Sequence, residues 1–205
     1  MEESLKYLLS DGIKRIDESL YSELLSDRLE KYYDLVKLFN PALGLVSATD
    51  EALVTRHLLD SLAPLPVITR AVREFTPENG NSCIEIADLG SGNGMPGLVL
   101  ACASPENWHF SLVERMGRRT GFLRNAVAVT GLSETVSVLQ SDMEQLDRTF
   151  DVLVMRAFRP FDIIEKQLLR LTHENSLVFV WDNREKQGVS VYRKMPGAVF
   201  QKLTI

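Results

Sequence analysis

The residues best suited to chemistry lie in one run, Asp88-Leu89-Gly90-Ser91-Gly92-Asn93-Gly94-Met95-Pro96-Gly97. An apolar strand-like segment precedes it and a helix-like segment follows. Gly90, Gly92 and Gly94 permit a tight turn and let the backbone approach a ligand closely. The following helix offers unpaired N–H groups and its positive dipole end. Pro96 is tolerated in the first turn, where its missing N–H would have had no partner. Glu114, at the end of the second expected strand, suits the two hydroxyls of a ribose. Asp142, Met143 and Glu144 follow the third strand, where backbone and carboxylate can meet an adenine amino group; they serve equally well as a helix cap. Arg156 follows the fourth strand, at the sheet edge where open α/β folds bind ligands. It can hold a phosphate, a carboxylate or a base edge, or simply pair with a surface acid.

Two cofactors could use such a loop. Gly92-x-Gly94-x-x-Gly97 matches the dinucleotide pattern, but its register is late. A dinucleotide site would start at Gly90, and its third glycine would then fall on Met95. The alternative is an acidic residue followed by G-x-G-x-G, here Asp88, Gly90, Gly92 and Gly94. That is the loop of class I S-adenosylmethionine methyltransferases. A carboxylate suits a ligand bearing an ammonium and a sulfonium, and repels a pyrophosphate. A glycine turn with no ligand is the remaining reading.

Other reactive residue types carry less. Arg56, His57, Asp60 and Ser61 have the composition of a nucleophilic triad, but one helical turn rarely orients a base from behind by its acid. An Arg56–Asp60 pair beside a half-buried His57 is expected instead. His57, His109 and His173 fall in separate elements without metal-ligand spacing, so no metal is expected. Trp108 and Trp181 suit core or sheet-end positions. Arg115, Arg118, Arg119 and Arg124 form a basic cluster with no acid between them. It is either a solvated helix face or a phosphate-binding patch.

These residues need elements to position them. Leu20, Leu24, Leu25, Leu29, Tyr32, Tyr33 and Val36 predict an amphipathic helix over 17–39, ended by Asn40-Pro41. Helices are expected over 51–62, with Leu53, Val54, Leu58 and Leu62 on one side, and over 67–74. The run 76–81 is loop chemistry and is taken as a hinge. Beyond it strands (83–89, 109–113, 135–139, 151–155, 177–181) alternate with helices (95–103, 117–130, 161–171). That order implies a doubly wound, mostly parallel, Rossmann-like α/β sheet over 83–205, with an N-terminal helical extension over 1–75. The residues after Asp182 are too few for the helix plus antiparallel hairpin that often completes such a sheet.

With 205 residues, 45% apolar and 25% charged, the chain fits one packed domain with a small appendage. Apolar runs are too short to span a membrane, and the acidic Met1–Ser4 is unlike a secretory signal. Two cysteines cannot make a disulfide framework, which favours a reducing, cytoplasmic compartment. The net charge of −5 sits entirely in residues 1–60, which hold seven Lys/Arg and twelve Asp/Glu; the rest holds sixteen of each. A neutral domain with one basic patch can still hold phosphate, since screening confines distant acids to about 10 Å.

The motifs together resemble one family. Thr55-Arg56-His57-Leu58-Leu59-Asp60-Ser61-Leu62, the glycine loop, Val113-Glu114-Arg115-Met116-Gly117-Arg118-Arg119, Phe122-Leu123-Arg124 and Arg156-Ala157-Phe158 occur in the order of the 16S ribosomal RNA guanine-N7 methyltransferases, RsmG or glucose-inhibited division protein B. The resemblance implies an S-adenosylmethionine-dependent enzyme that methylates N7 of a guanine in the 530 loop of 16S RNA. It places cofactor contacts on Gly90, Met95, Met143, Glu144 and Arg156, with Glu114 at the family's acidic position. Leu43–Ser47 departs from the usual Asn-Leu-Thr segment, Met95 from leucine or phenylalanine, and Trp181-Asp182-Asn183 from a Lys-Gly pair.

Guanine N7 carries a lone pair and no proton, so its methylation needs no catalytic base, and the lack of a convincing triad agrees with that. Arg56, His57, Arg115, Arg118, Arg119, Arg124 and Arg156 are then expected to face the RNA, with the small ribosomal subunit as partner, no membrane, and a monomer as the acting form. The rivals are a small-molecule or protein methyltransferase, a nicotinamide-dependent oxidoreductase, and a ribosome-binding module without catalysis.

Overall fold

The computed structural model describes residues 1–48, 50–75, 83–182 and 188–204; the 76–81 hinge and Asn183 lie outside them. A helix that the periodicity did not announce opens the chain, α1 (Glu3–Ile16), burying Leu5, Leu9 and Ile13. Its start has no side-chain cap, and Gly12 interrupts its pattern. A Cβ on Gly12 would stand 2.2 Å from Leu59, so glycine is what lets α1 lie against the helical segment over Val54–Leu59.

The long helix α2 is Glu23–Leu43, not 17–39. Asp17 caps a separate 3₁₀ turn, Glu18–Leu20, and Ser22 caps α2 by accepting from the Leu25 N–H. Leu24 is 58% exposed while Leu25, Leu29, Tyr32, Tyr33 and Val36 are buried. Pro41 does not end the helix. Asn40 stays helical because its side chain both donates to and accepts from the Val46 backbone, and Gly44, at φ 58°, makes the turn. Next, α3 (Glu51–Leu53) passes through a π-helical stretch, Val54–Leu59, into α4 (Asp60–Leu62). Then α5 (Leu65–Phe75) follows.

The sheet has seven strands in the order β3-β2-β1-β4-β5-β6-β7. The strands β1 (Ile84–Leu89), β2 (Trp108–Glu114), β3 (Val136–Gln140), β4 (Phe150–Met155) and β5 (Thr172–Trp181) are parallel. They are joined through α6 (Gly97–Ala103), α7 (Gly117–Val129) and α8 (Phe161–Arg170). The tail does complete the sheet: β6 (Val189–Met195) and β7 (Val199–Leu203) add as an antiparallel meander with no helix between them. A hairpin needs only a short link where a parallel crossover needs a dozen residues or more.

Alternate strand residues face two cores. Ile86, Phe110, Leu112, Val152, Val154 and Phe179 join the helices of the N-terminal region and α6 and α7 in one cluster. Ala87, Leu89, Val113, Leu153, Met155 and Val178 meet α8 and the turn after β3 in the other. Each large side chain so buried contributes about 1.5–3 kcal/mol relative to exposure. The order in which strands are laid down reverses at β1, whose parallel neighbours are β2 and β4, so a switch-point crevice opens at their carboxyl ends. Among the described residues no helix is long and apolar enough to cross a membrane, and no group of ligands could hold a metal ion.

Candidate functional site

The glycine loop sits at that crevice. The N–H groups of Gly90 and Ser91 both donate to the Val113 carbonyl, at 3.0 Å each, tying the loop to β2. Gly90, Gly92 and Gly94 all have positive φ, 72°, 57° and 98°. A Cβ on Gly90 would lie 2.4 Å from the Phe158 ring, so no larger residue fits. From behind, the Tyr32 hydroxyl donates to the Asn93 carbonyl at 2.5 Å, and Asn93 donates to the Leu45 carbonyl at 3.2 Å. Residues of α2 and of the segment after it thus hold the loop's shape.

Asp88 lies behind the loop, 1% exposed, and faces neither cleft described below. It accepts from the Gly97 N–H at 3.1 Å, and its Oδ1 is buried with no partner. Burial pushes its pKa up to about 7; the loop's hydrogen bonds hold it down only in part, and Glu114 adds repulsion. The carboxylate therefore clamps the loop to α6 rather than meeting a ligand's ammonium. Glu114, also buried, accepts from the Gly92 N–H at 3.0 Å and the Met116 N–H at 2.8 Å, with Arg119 4.0 Å away. Each oxygen keeps a lone pair for a further donor.

Two clefts meet here. One, of about 250 Å³, is lined by Gly90, Glu114, Arg115, Met116, Asp142, Met143 and Phe158. The other, of about 340 Å³, is lined by Ser47, His57, Gly90, Gly92, Asn93, Met95 and Arg156. Gly90, Arg119 and Ala157 belong to both. The first offers the Glu114 carboxylate, with lone pairs open to further donors, and an apolar Met143 wall, and the second adjoins it through the loop.

The structure separates the expected residues. Gly94 lines neither cleft. Asp142 caps a 3₁₀ turn, accepting from the Glu144 N–H at 3.3 Å, and Glu144 points outward to Arg159, also at 3.3 Å. Arg156 is not available for RNA phosphate. Its guanidinium binds the Ser61 hydroxyl at 2.8 Å, the Arg56 and His57 carbonyls at 2.9 and 3.4 Å, and Asp60 at 2.9 Å. So Asp60 pairs with Arg156, not with Arg56, because the π-helical stretch turns its carbonyls and Asp60 toward β4. Arg56, Arg115, Arg118 and Arg124 are exposed and make no ion pair among the described residues. Arg119 alone of the cluster lines both clefts. Sequence reasoning reads Tyr32 only as a helix core residue, Ser61 only as part of a poor triad and Phe158 only as part of a motif, and it passes over Arg159. Phe158, directly after Arg156-Ala157, is the one whose place beyond a strand end gave a signal.

Residues 25–191 match the family described as GidB: rRNA small subunit methyltransferase G. The chain is 36% identical over 159 residues to the ribosomal RNA small subunit methyltransferase G of Nitrosomonas europaea, covering 76% of this chain and 67% of that protein. With the namesake from Treponema pallidum it shares 35% over 161 residues, 76% and 66%. With that of Polynucleobacter asymbioticus it shares 30% over 193 residues, 90% and 82%. It spans about two thirds of the length of the first two. Among solved structures, a candidate protein-L-isoaspartate O-methyltransferase from Plasmodium falciparum, bound to S-adenosyl-L-homocysteine, superposes with a TM-score of 0.54 at 13% identity, over 97% of this chain and 93% of that one. An O-methyltransferase from Bacillus cereus gives 0.52 at 12%, over 85% and 74%. At those identities the likeness is one of fold.

Proposed function

The chain belongs to the rRNA small subunit methyltransferase G family, and from that premise we propose that it transfers a methyl group from S-adenosylmethionine to N7 of a guanine in the 530 loop of 16S RNA. The observation that carries this reading is the pair of clefts joined at Gly90, Arg119 and Ala157, one suited to an adenosine and one to an acceptor base.

The residues fit the cofactor on their own chemistry. Glu114 is a buried carboxylate with spare lone pairs, and a Cβ at Gly92 would meet nothing nearer than 3.7 Å, so the backbone there is open to a ligand. Gly90, Gly92, Met95, Glu114, Asp142 and Met143 would hold it, with Arg156 in the wall of the second cleft and Asp88 and Gly94 supporting the loop from behind. When bound, the cofactor supplies an electrophilic methyl on a sulfonium. Guanine N7 attacks with an in-plane lone pair, so the chain need supply no base and instead orients the acceptor and excludes water. Such positioning is worth about 7–11 kcal/mol of barrier.

Arg115 lines the first cleft, Arg118 and Arg124 are exposed on α7, and none of the three makes an ion pair among the described residues, so RNA phosphates would neutralise them. The helices of residues 1–75 serve as an extension that backs the loop, and residues 83–205 as the methyltransferase domain, acting as a cytoplasmic monomer on the small subunit. The test is incubation with methyl-labelled S-adenosylmethionine and small subunits lacking N7-methylguanine, followed by mapping. Label on one guanine N7 of 16S RNA is expected. Label on another acceptor would refute the substrate, and neither label nor cofactor binding would refute the enzyme.

A further inference from the structure

One polar side chain in the larger cleft remains without a task. The ring nitrogens of His57 have no hydrogen-bond partner among the described residues, although the residue is half-buried and lines the cleft. Its backbone is moored, since Arg156 binds the carbonyls of Arg56 and His57. The neighbouring polar groups are taken. Asn93 serves Leu45 and Met95, Ser91 serves Asp88, and Arg156 has four partners. Ser47 is exposed, where water satisfies its hydroxyl.

We propose that His57 donates a hydrogen bond to O6 of the target guanine and so selects guanine over adenine at the methylated position. The inference rests on the guanine-N7 reading above. Guanine presents two acceptors on this edge, N7 and O6, whereas adenine presents the N7 acceptor and an amino donor. With N7 committed to the methyl group, the six-position is the atom on that edge that distinguishes the two.

The product ring is cationic, so a donor without charge is needed beside it. Three charged groups face His57: Arg156 from the loop after β4, Asp60 from α4, and Arg119 from α7 across the cleft. Burial and the Arg156 charge lower the His57 pKa, against the pull of Asp60, so the ring is neutral at pH 7. Arg119 could also reach a base, but as a fixed cation it would oppose the developing charge.

The test is a binding comparison with S-adenosylhomocysteine present. Small subunits are reconstituted with 16S RNA carrying guanine or adenine at the position the wild-type protein labels. The wild type should bind the guanine subunit about tenfold more tightly. In His57→Leu that ratio should fall toward one with S-adenosylhomocysteine affinity unchanged, and His57→Gln, which restores a donor, should recover part of it. A wild-type ratio near one, or a ratio in His57→Leu within about twofold of wild type, overturns the proposal while leaving N7 methylation standing. Failure of the wild type to label any guanine N7 overturns both.

Discussion

Replacing Asp88 by asparagine isolates the cost of keeping a carboxylate behind the glycine loop. In the folded protein burial raises the Asp88 pKa to about 7, from the 3.8 of a solvated aspartate. The native state therefore holds a proton that the unfolded chain has already released anywhere between those two values. Stability falls as pH rises through that window, and the loss is complete only above the folded pKa. At about 1.4 kcal/mol per unit, the full penalty is on the order of 4 kcal/mol. Asparagine has no charge to desolvate and still offers an oxygen to the Gly97 N–H. It also leaves a buried amide in place of the unpartnered Oδ1, a cost that does not vary with pH. The expected signature is thus a slope and not an offset. The stability of Asp88→Asn minus that of wild type should grow by about 2–3 kcal/mol between about pH 5 and about pH 8. Urea unfolding at several pH values measures it, and the subtraction cancels the titrating groups that do not sense Asp88. A difference that stays flat across the range, or that shrinks toward high pH, would refute the buried-charge account.

Gly97→Ala should cost about 1–3 kcal/mol in the same assay, because its Cβ would stand 2.5 Å from the Asp88 side chain. Arg156→Ala should lower stability by about 1–3 kcal/mol and speed amide exchange in Val54–Leu59, whose carbonyls and flanking Asp60 lose their partner; unchanged exchange there would show that the arginine does not moor the stretch. Arg118→Ala should leave stability within about 0.5 kcal/mol. It should also reduce the salt slope of subunit binding by about one, which a filter-binding series in salt would read.

Local pattern exposed the loop and the parallel strands, since apolar runs such as Phe150–Met155 and the glycines at 90, 92 and 94 are local signals. The start of α2 is obscured because Leu20, packed on the core ahead of the helix, extends its apolar spacing while Leu24 inside it is exposed, and only Ser22 as a cap marks the true beginning. Pro41 misled because Asn40 is held helical by a tertiary bond to Val46. A π-helical insertion leaves no trace in periodicity, and it is the feature that redirects Asp60 from Arg56 to Arg156. The residue type of Asp88 is plain in the sequence, but it turns away from the clefts because of packing against Gly97 that the sequence of one strand does not contain.

The wall carrying His57 is fastened to the sheet by residues made much later. Arg156 meets Ser61 across 95 residues, and the Trp181 indole donates to the Asp60 carbonyl across 121. During synthesis the helices bearing that wall emerge first and must wait for β4 and β5 before its mooring exists, and contacts so distant in sequence close slowly. A growing chain is therefore expected to form the cleft lined by His57 only once Trp181 is free of the ribosome. Chains arrested before and after that residue would differ in protection of Val54–Leu59 from exchange. The order of manufacture thus makes the wall bearing His57 a late part of the molecule to become whole.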